Sequence, residues 1–250
     1  MRYLHREWTV DTHCIRPNEV VTIIYKSDEF QAPFSQQNLI RFHPDLKEIL
    51  LPDEQIIESC EFVTLPDIDF MSKKVSYNLD LLAVDSTFFH FFEYPLVEGE
   101  LRLNTPQDAI LTKACAQHLF GNESAVGKVL KAFGKDITIR GVIDQPTCKT
   151  ILNFDILTSH QLTNWSRIGG GWLRIVPKQT DLDAINAKTN VFGSVKPDQF
   201  RNNTDVRNEY IHWWDIYYDQ WTEDTATVKL GNRTYERMLI GVILVLLLIG

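Results

Sequence analysis

The thirteen residues from Met238 to Gly250, MLIGVILVLLLIG, carry no polar side chain. No other feature limits the fold as strongly, because a helix built from this run has no face suited to water. At about 1.5 Å per residue the run reaches only about 20 Å, whereas a membrane span needs roughly 20 apolar residues to cross about 30 Å of hydrocarbon. Length alone suits a buried core helix. The missing polar face suits the first half of a transmembrane helix, and residues 237–250 are read in that way, outside the soluble core. At the other end, RYLHREWTVDTH lacks the apolar core of a signal peptide. The expectation is a cytosolic protein, or a chain that begins after an export or anchor segment.

The rest of the 250 residues is ordinary in composition. Apolar residues make up 44% and charged residues 23%, which excludes a disordered or collagen-like chain and leaves enough apolar surface for a sizeable core. The formal net charge is −8, and no basic run exceeds Lys73-Lys74. A general nucleic-acid binder needs a basic face to displace counterions, so that class is excluded. Cys14, Cys60, Cys115 and Cys148 stand alone without a C-x-x-C pair. Their spacing leaves three disulfide pairings open, and a core of this size needs none, so buried thiols are expected.

Along the chain, EVVTIIYKS (19–27) reads as a strand, and Leu39 to Leu50 has helical spacing broken by Pro44. A second strand follows at about 55–64. The same order recurs later: strand GWLRIVP (171–177), helix 181–191, strand YIHWWDIYYDQ (210–220). Two β-α-β units thus flank a middle section. That section reads as strand 74–84, a short helix STFFHFF, strand 109–111, a helix capped by Thr112 and stopped at Gly121, a hairpin over 127–143 turning at Phe133 to Lys135, and strand 152–158. The expected class is α+β. Residues 1–69 with 156–236 form one lobe, 70–155 form an inserted β-rich lobe, and 237–250 begin the membrane helix.

No catalytic constellation emerges. Gly127-Lys128 fails as a phosphate loop, because Gly121 lies one residue too far upstream and Val129 replaces the metal-binding Ser or Thr. Gly169 to Gly171 come before a strand, so a loop is read there rather than a dinucleotide fingerprint. No histidine has a second ligand at metal spacing except adjacent His13-Cys14, whose side chains diverge on a strand. Asp67 and Asp69 could mimic a carboxylate pair, but Pro66 suggests a loop. No cofactor, metal or nucleotide is expected. Phe88, Phe89, Phe91 and Phe92, with Trp213-Trp214 and Tyr217-Tyr218, read as core. The rival reading is a platform for sugar or peptide.

The segments LAVDSTFFHFFEYPLVEGE (82–100) and ILTKACAQHLFGNESAVGKVLKAFGKDITIRGVI (110–143) resemble the extracytoplasmic domain of MacB-like and FtsX-like ABC transporter permeases of the Bacteroidetes type. The resemblance rests on Val84-Asp85, Phe88-Phe89, Gly99-Glu100, Leu119-Phe120-Gly121, Gly127-Lys128 and Gly141-Val142. Ala125 and Val126 depart from the common residues before the Gly-Lys. EWTVDTH (7–13) resembles the stretch after a first membrane helix, and Tyr235 onward resembles the approach to a second. Arg233 and Arg237 lie on the side of the apolar run that the family places outside the membrane, against the usual preference of positive charge for the inside.

The resemblance implies two porter-like β-α-β units forming one lobe, on the extracytoplasmic side of the inner membrane. It implies structural rather than catalytic roles for Asp85, Phe88, Phe89, Gly99, Phe120, Gly121, Gly127, Lys128 and Gly141. It also implies that ATP is hydrolysed by a separate subunit or domain, and that helix motion in the membrane drives motion outside it. The implied partners are the permease's own membrane helices, an ATP-binding subunit, a second permease copy and a periplasmic protein, for export or mechanotransmission. The rivals from other classes are a soluble secreted binding module with an aromatic surface and a cytosolic enzyme.

Overall fold

A computed structural model describes residues 9–26, 31–34, 55–162, 170–175, 180–192 and 207–217, together with positions 231, 237, 238, 241, 242 and 245. The expected helix over 39–50 lies outside these residues. The strands are β1 (Val20–Lys26), β2 (Gln31–Phe34), β3 (Ile56–Ser72), β4 (Val75–Val84), β5 (Leu96–Gly99), β6 (Asp108–Thr112), β7 (Val129–Ala132), β8 (Lys135–Ile143), β9 (Ile156–Ser159), β10 (Gly170–Ile175) and β11 (Arg207–His212). The helices are α1 (Phe88–Phe91), α2 (Lys113–Phe120), α3 (Leu182–Phe192) and α4 (Trp213–Ile216).

All eleven strands belong to one sheet with the path β11-β1-β10-β3-β4-β9-β6-β8-β5. Its first four strands decide how the chain is wound. β1 pairs antiparallel with both β11 and β10, and β10 pairs antiparallel with β3. Hence β1 runs parallel to β3 and β10 parallel to β11, each pair separated by one strand of the other. The β1/β3 and β10/β11 strand pairs therefore interlock, and neither pair is joined except through a strand of the other. The outer edge of β11 is blunted by α3: Asn186 donates to the Tyr210 carbonyl at 2.9 Å and accepts from the Tyr210 amide at 2.8 Å.

β3 is seventeen residues long and pairs with β10 at one end and β4 at the other, so the sheet is continuous past position 69. Its period-2 alternation builds two cores. Phe62, Leu82, Ile110 and Leu157 face an aromatic cluster with Phe88, Phe92, Trp172 and Trp213. Their neighbours Val63, Leu81, Ala83, Ala109, Leu111 and Ile156 face a second cluster covered by Ala116 and Leu119 of α2. β6, DAILT, is buried on both faces along its whole length, as an apolar strand between two partners must be.

Local chemistry sets several elements as read. The Thr112 hydroxyl accepts from the Cys115 amide at 3.2 Å and caps α2, and Gly121 closes the helix at φ +63°. The β7–β8 turn places Phe133 and Gly134 at φ +54° and +71°, the twist a two-residue hairpin wants.

Three expectations are corrected. The strand expected over 210–220 ends at His212 and becomes α4, because Trp213 and Ile216 are both buried in the aromatic cluster and three residues apart share a helix face but not a strand face. Pro66 does not end a strand. It sits in a bulge of β3, where the β4 register shifts between Leu65 and Ile68 and Asp67 takes φ +53°. Gly170 and Gly171 belong to β10, opposite Phe62 and Glu61, rather than to a loop.

Candidate functional site

The nine motif residues fall into two neighbourhoods. In the first, Asp85 directly follows β4 and fastens the next turn to β3. Its carboxylate accepts from the Glu61 amide at 2.8 Å, and its own amide donates to the Glu61 carbonyl. Thr87 adds a hydroxyl bond to the Ser59 carbonyl at 2.8 Å. These bonds aim α1 so that Phe88 is fully buried, with Phe92, Tyr94 and Trp172 rings within 6 Å. Phe89 packs beside it at 5.2 Å.

The second neighbourhood lies where β5, β8 and the segment after α2 meet. A Cβ on Gly99, which has φ +77°, would sit 2.1 Å from the Arg140 carbonyl, and a Cβ on Gly141 would sit 2.4 Å from the Glu100 carbonyl. The two glycines let β5 and β8 close on each other. Gly127 takes φ +81° and donates its amide to the Ile139 carbonyl, which turns the loop back onto β8. Lys128 is committed: its ammonium meets Glu123 at 2.6 Å and lies 4.3 Å above the Phe120 ring. Both contacts hold it to the loop that follows α2. Ser124 donates to Glu98 and ties the same loop to β5, beside a cleft of about 270 Å³. The structure does not join the two neighbourhoods into one pocket.

Two polar clusters were not visible in the spacing. The first surrounds Asp11 and His13. The Cys148 thiol lies 3.5 Å from Nδ1 of His13, and the Asp11 carboxylate lies 3.8 Å from the same nitrogen. Cysteine, histidine and aspartate together suggest a nucleophile, but the geometry refuses it. In a working triad the thiol and the carboxylate engage different ring nitrogens, so that one orients the imidazole while the other gives it a proton. Here both crowd one nitrogen, and Nε2 is buried without a hydrogen-bond partner. Among the described residues no three His, Cys, Asp or Glu side chains are placed to hold a metal. Cys14, Cys60 and Cys115 are buried free thiols, and burial pushes Cys14 and Cys115 up to about 12, which keeps them protonated and inert.

Burial pushes Asp11 up to about 6, against the pull of Thr150, the Ile151 amide and Trp213. Burial also pushes His13 down to about 4. Both groups are neutral over much of the range between, and their effects on stability oppose. The raised Asp11 contributes stability below the unfolded value of 3.8 that is lost as pH climbs to about 6. The lowered His13 contributes stability above 6.5 that is lost as pH falls to about 4. Asp11→Asn removes the first and leaves the second. The stability of the variant relative to the parent should therefore rise by about 2 kcal/mol from pH 4 to pH 6. Urea titrations of both proteins across that range check this, and a pH-independent difference would contradict it.

The second cluster centres on Arg174 of β10, a fully buried side chain stacked 4.8 Å from the Phe91 ring. It donates to the Ile15 carbonyl at 2.9 Å and the His90 carbonyl at 2.7 Å, and faces Glu19 at 3.7 Å and Glu58 at 3.8 Å. The one available signal was Arg174 two residues from Trp172 on the same strand face, a charge where the alternation asks for an apolar residue.

The aromatic platform loses its surface. Phe91, Phe92, Trp213 and Tyr217 are buried in the core, and Trp214 stacks on His212 at 4.5 Å. Tyr218 lies outside the described residues. Asp67 and Asp69 do not form a catalytic pair: the Asp67 amide donates to Asp80, and the Asp69 carboxylate accepts from Ser76. A wider cleft of about 600 Å³ opens between α3 and β11, lined by Asp183, Glu209 and Asp215 together with Asp181, which accepts from the Ala184 amide in the first turn of α3.

Residues 20–198 match the family described as the MacB-like periplasmic core domain. The fold is similar to a permease-protein domain from Porphyromonas gingivalis, with a TM-score of 0.58 and 12% identity over 85% of this chain and 96% of that one. It is also similar to the periplasmic region of MacB from Actinobacillus actinomycetemcomitans, with a TM-score of 0.51 and 13% identity over 83% and 93% of the two chains. A third similarity is to the extracellular domain of the noncanonic ABC-type transporter YknZ from Gram-positive bacteria, with a TM-score of 0.49 and 14% identity over 76% and 98%. No curated protein matches the sequence significantly.

Proposed function

This chain belongs to the MacB-like periplasmic core domain family, and from that premise we propose that it couples ATP-driven motion of membrane helices to movement outside the membrane. It is the periplasmic domain of a permease of the MacB and FtsX kind, a class in which ATP hydrolysis belongs to a separate subunit. The observation that carries the coupling reading is the register of β1 against β11, in which Val21 stands opposite His212. The strands are antiparallel, so the start of β1 and the end of β11 share one end of the sheet. A domain looped between two membrane helices needs its two connections side by side in this way. Displacing one helix against the other then shears the central strand pair.

In this reading, 1–69 with 156–236 and the inserted 70–155 are two lobes, and the one sheet and two cores that run through both carry displacement from the first to the second. The run 237–250 begins the second membrane helix. Met238, Val242 and Val245 are helical and more than half exposed, as lipid-facing residues would be. Among the described residues no helix is long and apolar enough to cross a membrane. Two permease copies and a periplasmic protein complete the proposed assembly, with export or mechanotransmission as its output.

The test places spin labels at exposed Asn18 and Asp215 in the complete permease, reconstituted with its ATPase. The distance between them should differ between the nucleotide-free and ATP-bound states. An identical distance distribution in both states would refute the coupling.

A further inference from the structure

Residues 11–16 do not simply lead into β1. The Asp11 amide donates to the Lys149 carbonyl at 2.7 Å, and its carboxylate accepts from the Ile151 amide at 3.2 Å. Further along, the Glu93 amide donates to the His13 carbonyl at 2.9 Å and the Ile15 amide to the Phe91 carbonyl at 2.8 Å, with Cys14 bridged to Phe92 between them. Six residues thus lie across two distant segments, 149–151 and 91–93, before the chain turns into the sheet. Arg174 closes the far end. One guanidinium nitrogen holds the Ile15 carbonyl of this stretch and another holds the His90 carbonyl beneath it.

We infer that residues 11–16 are a strap that delivers displacement of the membrane-side chain directly to the inserted region, and that Arg174 is its positioning residue. The inference rests on the coupling reading above and names the route. The stretch is compact: the Cys14 amide donates to the Asp11 carbonyl at 2.8 Å, Asp11 and Arg16 take φ +52° and +53°, and with both ends bonded the turn moves as one piece. A pull on it bears on 90–93 and 149–151 without first passing through β1. Arginine suits the anchor for a physical reason. Its planar fork reaches two carbonyls at once, while Glu19 and Glu58 balance its charge. Lysine keeps the charge but presents a single ammonium, so it cannot hold both carbonyls in the same geometry.

The experiment compares the complete permease with its Arg174→Met and Arg174→Lys variants, each with the ATPase. Hydrogen exchange at the Ile15 and Glu93 amides should speed up by at least about tenfold in both variants, with the Ile110 and Ile139 amides of the central sheet unchanged. Lysine should keep the thermal midpoint nearer the parent's without restoring the strap, which separates positioning from mere charge burial. Labels at exposed Asn18 and Asn122 should change their distance with ATP in the parent and not in the variants. Unchanged exchange at Ile15 and Glu93 overturns the strap. So does an ATP-driven change that survives in a variant whose strap has come loose. If the parent itself shows no ATP-driven change at either label pair, the coupling reading falls and takes the delivery role with it.

Discussion

Gly99→Ala should cost roughly 2–5 kcal/mol, a large share of the 5–15 kcal/mol that holds a domain together. Two penalties add. An L side chain at φ +77° costs about 1–2 kcal/mol, and its Cβ would stand 2.1 Å from the Arg140 carbonyl, a backbone atom that cannot rotate away. Relief requires β5 to separate from β8, which loses the pairing of Glu98 with Val142 and of Gly99 with Gly141. Gly121→Ala is the control. It has φ +63° but nothing within 4 Å of the added Cβ, so only the backbone cost of about 1–2 kcal/mol applies. Urea midpoints of the two variants measure the difference. Equal losses would show that the close approach of β5 and β8 contributes nothing.

Trp172→Ala should cost about 3–5 kcal/mol, the range for emptying a large aromatic site that the surroundings cannot refill. Trp172 is fully buried and stacks on Phe62 at 4.1 Å, with the Phe92 and Trp213 rings at 4.9 and 5.4 Å. It also carries a liability, since its indole N–H is buried without a hydrogen-bond partner. Trp172→Phe leaves a smaller cavity and removes that unpaired donor, whose burial costs about 1–3 kcal/mol. The phenylalanine variant should therefore fall within about 1.5 kcal/mol of the parent. Denaturation of both variants decides the point. A phenylalanine variant as unstable as the alanine variant would mean that the indole nitrogen has a partner and that ring shape alone holds the cluster.

Elements whose causes lie within a few residues were legible. β-Branched and aromatic composition marked β1, alternation marked β4, Thr112 and Gly121 marked both ends of α2, and the Phe133-Gly134 turn marked the β7–β8 hairpin. Of the motif residues, the structural parts of Gly121 and Gly99 were expected, while the commitment of Lys128 to Glu123 and Phe120 was not. Elements whose causes lie far along the chain were misread. WWDIYY has the β-branched and aromatic character of a strand, yet α4 forms because Trp213 and Ile216 must reach one cluster that Phe92 and Trp172 have already built. Pro66 argues for a loop in any local window, but β4 pairs with β3 both before the proline at Leu65 and after it at Ile68, and the sheet absorbs it as a bulge.

The amino-acid sequence by itself determined the α+β class, the strands β1, β4, β6 and β10, the helix α2, and the family resemblance. These follow from side-chain period, caps and turn residues, all of which act over a few bonds of the chain. Only the tertiary structure decided that β10 lies between β1 and β3, that successive residues of β3 serve two different cores, and that His13 meets Cys148 rather than the adjacent Cys14. It also decided that Arg174 is buried, because its burial depends on carbonyls at positions 15 and 90 that come within reach only when β10 lies between β1 and β3. A buried charge is tolerated where its partners converge, and that convergence is a property of the packed chain, not of any window of its residues.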